Sequence, residues 1–184
     1  MSRGDLLDLL KASGALRFGE FTLASGKTSP YYIDVKKAIT KPEILRAIGR
    51  GIAKYAHRAD RIAGVELGAV PIAAVVALET GKPYIMVRKE KKEHGTSKEY
   101  EGDLVAGDRL LFVEDVVTTG GTLMKAIQRM RAAGAAVTEV VAVVDREEGG
   151  KEALASIDVI LRALVTSEEL MQVAKSGTPS RSLP

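Results

Sequence analysis

The chain has 184 residues, 46% of them hydrophobic, and a formal net charge of +3. That size and apolar content suit one domain around a full core, and so small and dispersed a positive charge argues against a nucleic-acid-binding stripe. With no cysteine, neither a disulfide framework nor a thiolate metal site is available.

In chain order, "DLLDLLKAS" repeats leucine at helical spacing and stops at Gly14, without the layout of a secretory signal. "FTLASGKTSPYYID", residues 21 to 34, predicts short strands around a glycine- and proline-bearing turn. A second helix is expected from Thr40-Lys41-Pro42-Glu43, with Thr40 and Glu43 as a capping box and Pro42 in the first turn. Ile44, Ile48 and Ile52 mark its buried side, and His57 falls near its end as a surface residue without catalytic work. Next come "RIAGVEL" (strand), "VPIAAVVALETG" (helix closed by Gly81), "PYIMVR" and "RLLFVED" (strands), "GTLMKAIQRMRAAG" (helix closed by Gly134) and "VTEVVAVVD" (strand). Val/Ile/Leu-rich strands separated by helices imply an α/β fold whose parallel sheet is covered on both faces. No apolar run is long enough to span a bilayer, so a cytoplasmic protein without a membrane partner is expected. The tail "SGTPSRSLP" is polar and expected to be loose. Asparagine is absent and glutamine occurs only at 128 and 172, which suggests a heat-adapted source.

The stretch "RLLFVEDVVTTGGTLMKAI", residues 109 to 127, concentrates the chemistry. Ligands of open α/β sheets sit beyond the carboxyl ends of the strands, and Glu114 and Asp115 fall at such an end, with Asp115 expected in an exposed loop. Thr118, Thr119, Gly120, Gly121 and Thr122 then lead into a helix, offering amides and hydroxyls to an anion at its N-terminus. Two carboxylates beside a phosphate cradle must hold something neutral or cationic, such as sugar hydroxyls or Mg²⁺, and a ribose 5-phosphate carrying a metal satisfies both halves. The Gly-Lys-Ser/Thr of a P-loop and the Rossmann glycine fingerprint are both missing.

"LLFVEDVVTTGGT" resembles the signature of type I phosphoribosyltransferases. The resemblance implies that Glu114 and Asp115 hold the ribose hydroxyls of phosphoribosyl pyrophosphate (PRPP), and that the loop from Val116 and Val117 to Thr122 binds its 5-phosphate. Three further segments are similar to the orotate phosphoribosyltransferase family: "FTLASGKTSPYYID"; "VRKEKKEHG", residues 87 to 95, like a mobile catalytic loop; and "VVDREEGG", residues 143 to 150, like the strand end where an arginine meets orotate. Residues 88 to 98 carry five basic side chains, Arg88, Lys89, Lys91, Lys92 and Lys98, besides His94. A solvated charge run would look the same. Position between two strands, with Gly95 and Gly102 nearby, instead suits a lid closing over the leaving pyrophosphate and excluding water.

The family's pyrophosphate loop is matched in place by "ELGAVP", residues 66 to 71, where Gly68 and Ala69 present bare amides. Many bacterial relatives carry lysine at the place of Gly68, and some carry one at Ala24, for which Lys27 is the substitute. Tyr31 and Tyr32 either border the pyrimidine or simply pack.

The resemblance thus implies one phosphoribosyltransferase domain over 1–184, with a core at about 41–150 and a small hood from about 1–40 with C-terminal elements. It implies Mg²⁺-dependent transfer of the phosphoribosyl group to orotate, in pyrimidine biosynthesis. Thr118, Arg146, Lys27 and Tyr32 would hold orotate. Lys92 and His94, with Arg88 and Lys89, would stabilise the leaving pyrophosphate, and either of the first two could protonate it. A homodimer sharing loop 88–98 across its interface is expected. The rivals are an enzyme for another nucleobase and a PRPP-sensing regulator without catalysis.

Overall fold

Six strands form the central sheet of the computed structural model, which describes residues 3–22, 28–89 and 99–176, in the order β5-β4-β3-β6-β7-β8. These are β3 (Arg61–Val65), β4 (Tyr84–Val87), β5 (Tyr100–Glu101), β6 (Arg109–Val117), β7 (Ala136–Asp145) and β8 (Ile160–Thr166). All pair in parallel except the two-residue edge strand β5, which runs antiparallel to β4. The expected parallel sheet therefore gains one antiparallel edge.

Alternation along the strands separates two layers. Leu111 and Val113 of β6, with Val141 and Val143 of β7, face a layer holding α1 (Arg3–Ala12), α3 (Pro42–Ala53) and α4 (Ala69–Thr80). Leu110 and Phe112, with Val140 and Ala142, face α5 (Gly121–Ala132) and α6 (Gly150–Ala155). Burial on both faces is why these strands read as unbroken apolar runs. Beside the sheet, β1 (Leu16–Thr22) and β2 (Thr28–Ile33) form an antiparallel hairpin followed by the short helix α2 (Val35–Ala38). The closing helix α7 (Ser167–Ser176) packs on α1, so both ends of the described chain meet at the hood side.

Helix α3 buries Ile44, Ile48 and Ile52 as its spacing predicts, and Pro42 stands in its first turn. The capping box does not form. Lys41 is the N-cap and makes no side-chain cap bond, because the Thr40 hydroxyl turns back to donate to the Lys37 carbonyl at 2.7 Å. Gly81 closes α4 in the left-handed conformation, the glycine stop that its position suggests. His57 lies exposed in a short 3-10 turn after α3. The tail "SGTPSRSLP" falls outside the described residues beyond Ser176.

Candidate active site

Chain direction reverses across the sheet between β3 and β6: from β3 the chain steps outward to β4, from β6 it steps the other way to β7. Such a switch point opens a crevice at the strands' carboxyl ends. Gly68 follows β3, Glu114 and Asp115 lie near the carboxyl end of β6, and Arg146 follows β7, so three neighbouring strands deliver these residues to one edge. A cavity of about 680 Å³ lies there, lined by Glu114, Asp115 and the whole Val116–Thr122 loop, together with Tyr32, Lys36, Lys125 and Arg146.

Glu114 and Asp115 are part of β6 itself, which runs on to Val117, and Asp115 is only 6% exposed. The expected exposed loop is thus replaced by a buried strand end: pairing of Val116 and Val117 with Val144 and Asp145 of β7 carries the strand past the acids. The Glu114 carboxylate accepts from the Asp115 amide at 3.0 Å, and Asp115 Oδ1 accepts from the Val116 amide at 2.8 Å. Burial first, then the hydrogen bond and charge of Asp115, push the Glu114 carboxyl well above the ordinary range. For Asp115 burial acts the same way, but the hydrogen bond from Glu114 and the Lys36 ammonium outweigh it and its carboxyl is lowered. The pair therefore shares one negative charge more readily than two.

Gly120 sits at φ 76° as the N-cap of α5, so the loop turns left-handed just before the helix and leaves the first amides of α5 open to the cavity. Gly150 of α6 underlies this loop: a Cβ there would meet Val117 Cγ1 at 2.4 Å and the Thr118 carbonyl at 2.7 Å. A helix N-terminus with adjoining threonine hydroxyls can hold a phosphate dianion.

Arg146 is pinned on every side. Its amide donates to the Val117 carbonyl at 2.9 Å, and its carbonyl accepts from the Ser167 hydroxyl at 3.0 Å. The guanidinium donates to Glu148 at 2.8 Å and to the Ser29 hydroxyl at 3.3 Å, with its Cζ 4.8 Å over the Tyr31 ring. Tyr31 thus packs under the arginine, whereas Tyr32 borders the cavity at 38% exposure.

Gly68 and Ala69 are not on the wall of this cavity: Gly68 lies against Asp115, whose carboxylate leaves no space for a Cβ there, and Ala69 is buried in the core at the start of α4. Arg88 and Lys89 stand further along the edge, after β4. Arg88 donates to Glu101 at 2.7 Å, and Arg129 of α5 donates to the Arg88 carbonyl at 2.6 Å. Lys27, Lys92 and His94 lie outside the described residues, as do Ala24, Lys91, Gly95 and Lys98. The residue that sequence reasoning missed is Lys36, whose Nζ lies 2.7 Å from Asp115 Oδ2. It belongs to no recognisable motif; only the topology that lays α2 against β6 brings it to the acids.

The donor set fits a magnesium ion carried by a substrate. Among the described residues no three His, Cys, Asp or Glu side chains cluster as a protein-only metal site. Asp115 Oδ2, however, is buried without a well-directed hydrogen bond. Mg²⁺ ordinarily takes one or two carboxylates and completes its shell with water and substrate oxygens.

A family model described as "Phosphoribosyl transferase domain" matches residues 36–170. The chain is 51% identical over 169 residues to the orotate phosphoribosyltransferase of Methanocaldococcus jannaschii, covering 91% of this chain and 96% of that one. It is 48% identical over 174 residues to that of Pyrococcus furiosus, covering 92% and 96%. Among solved structures, the orotate phosphoribosyltransferase of Aeropyrum pernix superposes with a TM-score of 0.85 at 34% identity, over 94% of this chain and 99% of that one.

Proposed function

This chain belongs to the phosphoribosyltransferase family, in its orotate phosphoribosyltransferase branch, and from that premise we propose how its residues divide the work. The reaction joins orotate and PRPP to give orotidine 5′-monophosphate and pyrophosphate. An enzyme for a different base and a regulator without catalysis both yield to that activity.

Carrying the residue assignment is the adjacency of an acidic pair to an anion cradle on one cavity wall. Thr118, Thr119, Gly120, Gly121 and Thr122 hold the 5-phosphate at the N-terminus of α5. Glu114 and Asp115 accept from the ribose hydroxyls, and Asp115 supplies negative charge near C1 as the bond to pyrophosphate lengthens. The electron pair of that C1–O bond leaves with pyrophosphate, and a ring nitrogen of orotate supplies the pair that replaces it. Arg146 faces the orotate carboxylate, Thr118 bonds the pyrimidine, and Tyr32 borders it. Gly68 and Ala69 turn amides toward the diphosphate. Mg²⁺, held by PRPP near Glu114 and Asp115, neutralises diphosphate charge when bound.

Lys92 and His94, with Arg88 and Lys89, take the leaving pyrophosphate, and Lys27 adds charge at the hood. The loop acts across a homodimer. Support comes from apolar side chains left exposed on adjoining segments, Leu67 (78%) before α4, Leu78 (84%) on α4 and Tyr84 (36%) on β4, which suit burial against a second copy. No helix among the described residues is long and apolar enough to cross a membrane, and a role in pyrimidine synthesis supports a cytoplasmic location.

The test is Asp115→Asn. Its shape is conserved and Lys36, 59% exposed, stays hydrated without its partner, so circular dichroism should report an intact fold. Turnover should fall by about a hundredfold or more, the scale of removing one transition-state electrostatic group. Wild-type turnover in that variant would remove Asp115 from the reaction.

A further inference from the structure

Beyond β3, Gly68 faces the Asp115 carboxylate of β6 and, beside it, the stem of a side chain that comes from neither strand, Lys36. A Cβ on Gly68 would stand 2.2 Å from Asp115 Oδ2 and 3.0 Å from Lys36 Cε. Any residue larger than glycine at 68 would therefore contend first with the Asp115 carboxylate and then with the lysine stem beside it. Lys36 enters from α2, and its ammonium reaches Asp115 Oδ2 at 2.7 Å on the cavity wall.

Two features mark this contact as exchangeable. Asp115 is 8% exposed in its side chain and Lys36 59%, so the ammonium caps the carboxylate from the water side. Asp115 Oδ2 also has no well-directed hydrogen bond among the described residues, so charge and not bond direction holds the pair. A lysine ammonium is a compact charge on a flexible stem and can turn to a stronger anion without breaking a directed bond.

The edge beside Gly68 needs such a cation. Gly68 and Ala69 can offer only amides, and one Mg²⁺ leaves a diphosphate still anionic beside the negative charge of the acidic pair, so a further positive group is called for. Arg146 stands at the orotate side after β7, Arg88 and Lys89 belong to the loop that serves the partner's site, and Lys125 lies on α5, at the cradle's side of the cavity.

We propose that Lys36 is the diphosphate-binding cation of this enzyme's own chain. Without substrate it caps Asp115; when PRPP enters, the ammonium turns to the diphosphate oxygens and releases Asp115 to the ribose hydroxyls. Glycine at 68 leaves room for the Asp115 carboxylate and the lysine together. The proposal rests on the reading of Glu114 and Asp115 as the ribose pair and of the Gly68 edge as the diphosphate side.

The experiment is calorimetric titration of the full-length protein with three probes: inorganic pyrophosphate with Mg²⁺, PRPP with Mg²⁺ and no orotate, and ribose 5-phosphate. Lys36→Ala, Lys36→Arg and Asp115→Asn are compared with wild type, each checked for folding by thermal unfolding. Lys36→Ala should weaken pyrophosphate and PRPP by about tenfold or more, the scale of one charge-assisted hydrogen bond. Ribose 5-phosphate should change little, and Lys36→Arg should restore most of the loss. Asp115→Asn should bind pyrophosphate at least as well as wild type, since its Lys36 is already free. Unchanged pyrophosphate affinity in Lys36→Ala overturns the proposal, as does an equal loss for ribose 5-phosphate, which would make Lys36 only a prop for Asp115. Asp115→Asn also separates the two readings. If it leaves ribose 5-phosphate affinity intact, the ribose assignment fails while the pyrophosphate result still decides Lys36.

Discussion

The guanidinium of Arg146 stacks over Tyr31, Cζ 4.8 Å from the ring centroid, and so ties the end of β7 to the hood hairpin. Arg146 is 5% exposed, and its two polar partners, Glu148 and Ser29, fix the planar group without covering it from the cavity that it lines. A planar cation held this rigidly suits a carboxylate on a flat ring. Arg146→Ala should weaken orotate by about 2–5 kcal/mol, the range for truncating one partner of a buried charge pair. PRPP should be weakened much less. Steady-state KM and kcat/KM for each substrate check this, and equal weakening of both would contradict the assignment.

Glu114 and Asp115 should leave opposite signatures in stability against pH. The Glu114 carboxyl is raised, by burial and then by Asp115, so folding favours its protonated form. Its contribution is fully present below the ordinary glutamate range and is lost as pH rises through the raised value. Asp115 is lowered, so its contribution is present above the ordinary aspartate range and lost as pH falls through the depressed value. Glu114→Gln, which keeps the neutral shape, should flatten the decline on the alkaline side while leaving the acid side in place. Thermal unfolding midpoints of the substrate-free protein, from acid to mildly alkaline pH, provide the measurement. An unchanged alkaline slope would mean that Glu114 ionises as freely folded as unfolded.

Loop sharing predicts complementation. Lys92→Ala and Asp115→Asn should each be inactive alone. Mixed under conditions that exchange subunits, they form a heterodimer in which one site receives the intact acid of one chain and the intact loop of the other. About half of a wild-type dimer's activity per heterodimer is expected from two-fold geometry. Verified exchange with no recovery would place each loop on its own chain's site.

Periodicity made the central strands and helices legible, because residues such as Ile44, Ile48 and Ile52, or Leu110 to Val113, are buried for the same reason that they are apolar. Residues 151–176 yielded no predicted element. There β8 is an edge strand in which Arg162 interrupts the apolar run, and α6 has only six residues. The acids and the cradle were legible because adjacent carboxylates and a Thr-Gly run are costly to place at a strand end without a ligand. Lys36 was not, since its neighbour Asp115 lies far along the chain and only the fold joins them. The Thr40 cap failed for a local reason: a hydroxyl can satisfy a preceding carbonyl as readily as a following amide.

The most direct test of the whole account is pyrophosphate release from PRPP and Mg²⁺ with one base at a time: orotate, uracil, adenine, guanine and hypoxanthine. A cavity that pairs a ribose-phosphate cradle with the clamped Arg146 guanidinium should release pyrophosphate with orotate and not with the four bases that lack a carboxylate. Release with a purine or uracil at a rate matching or exceeding that with orotate, or none with orotate, would contradict it.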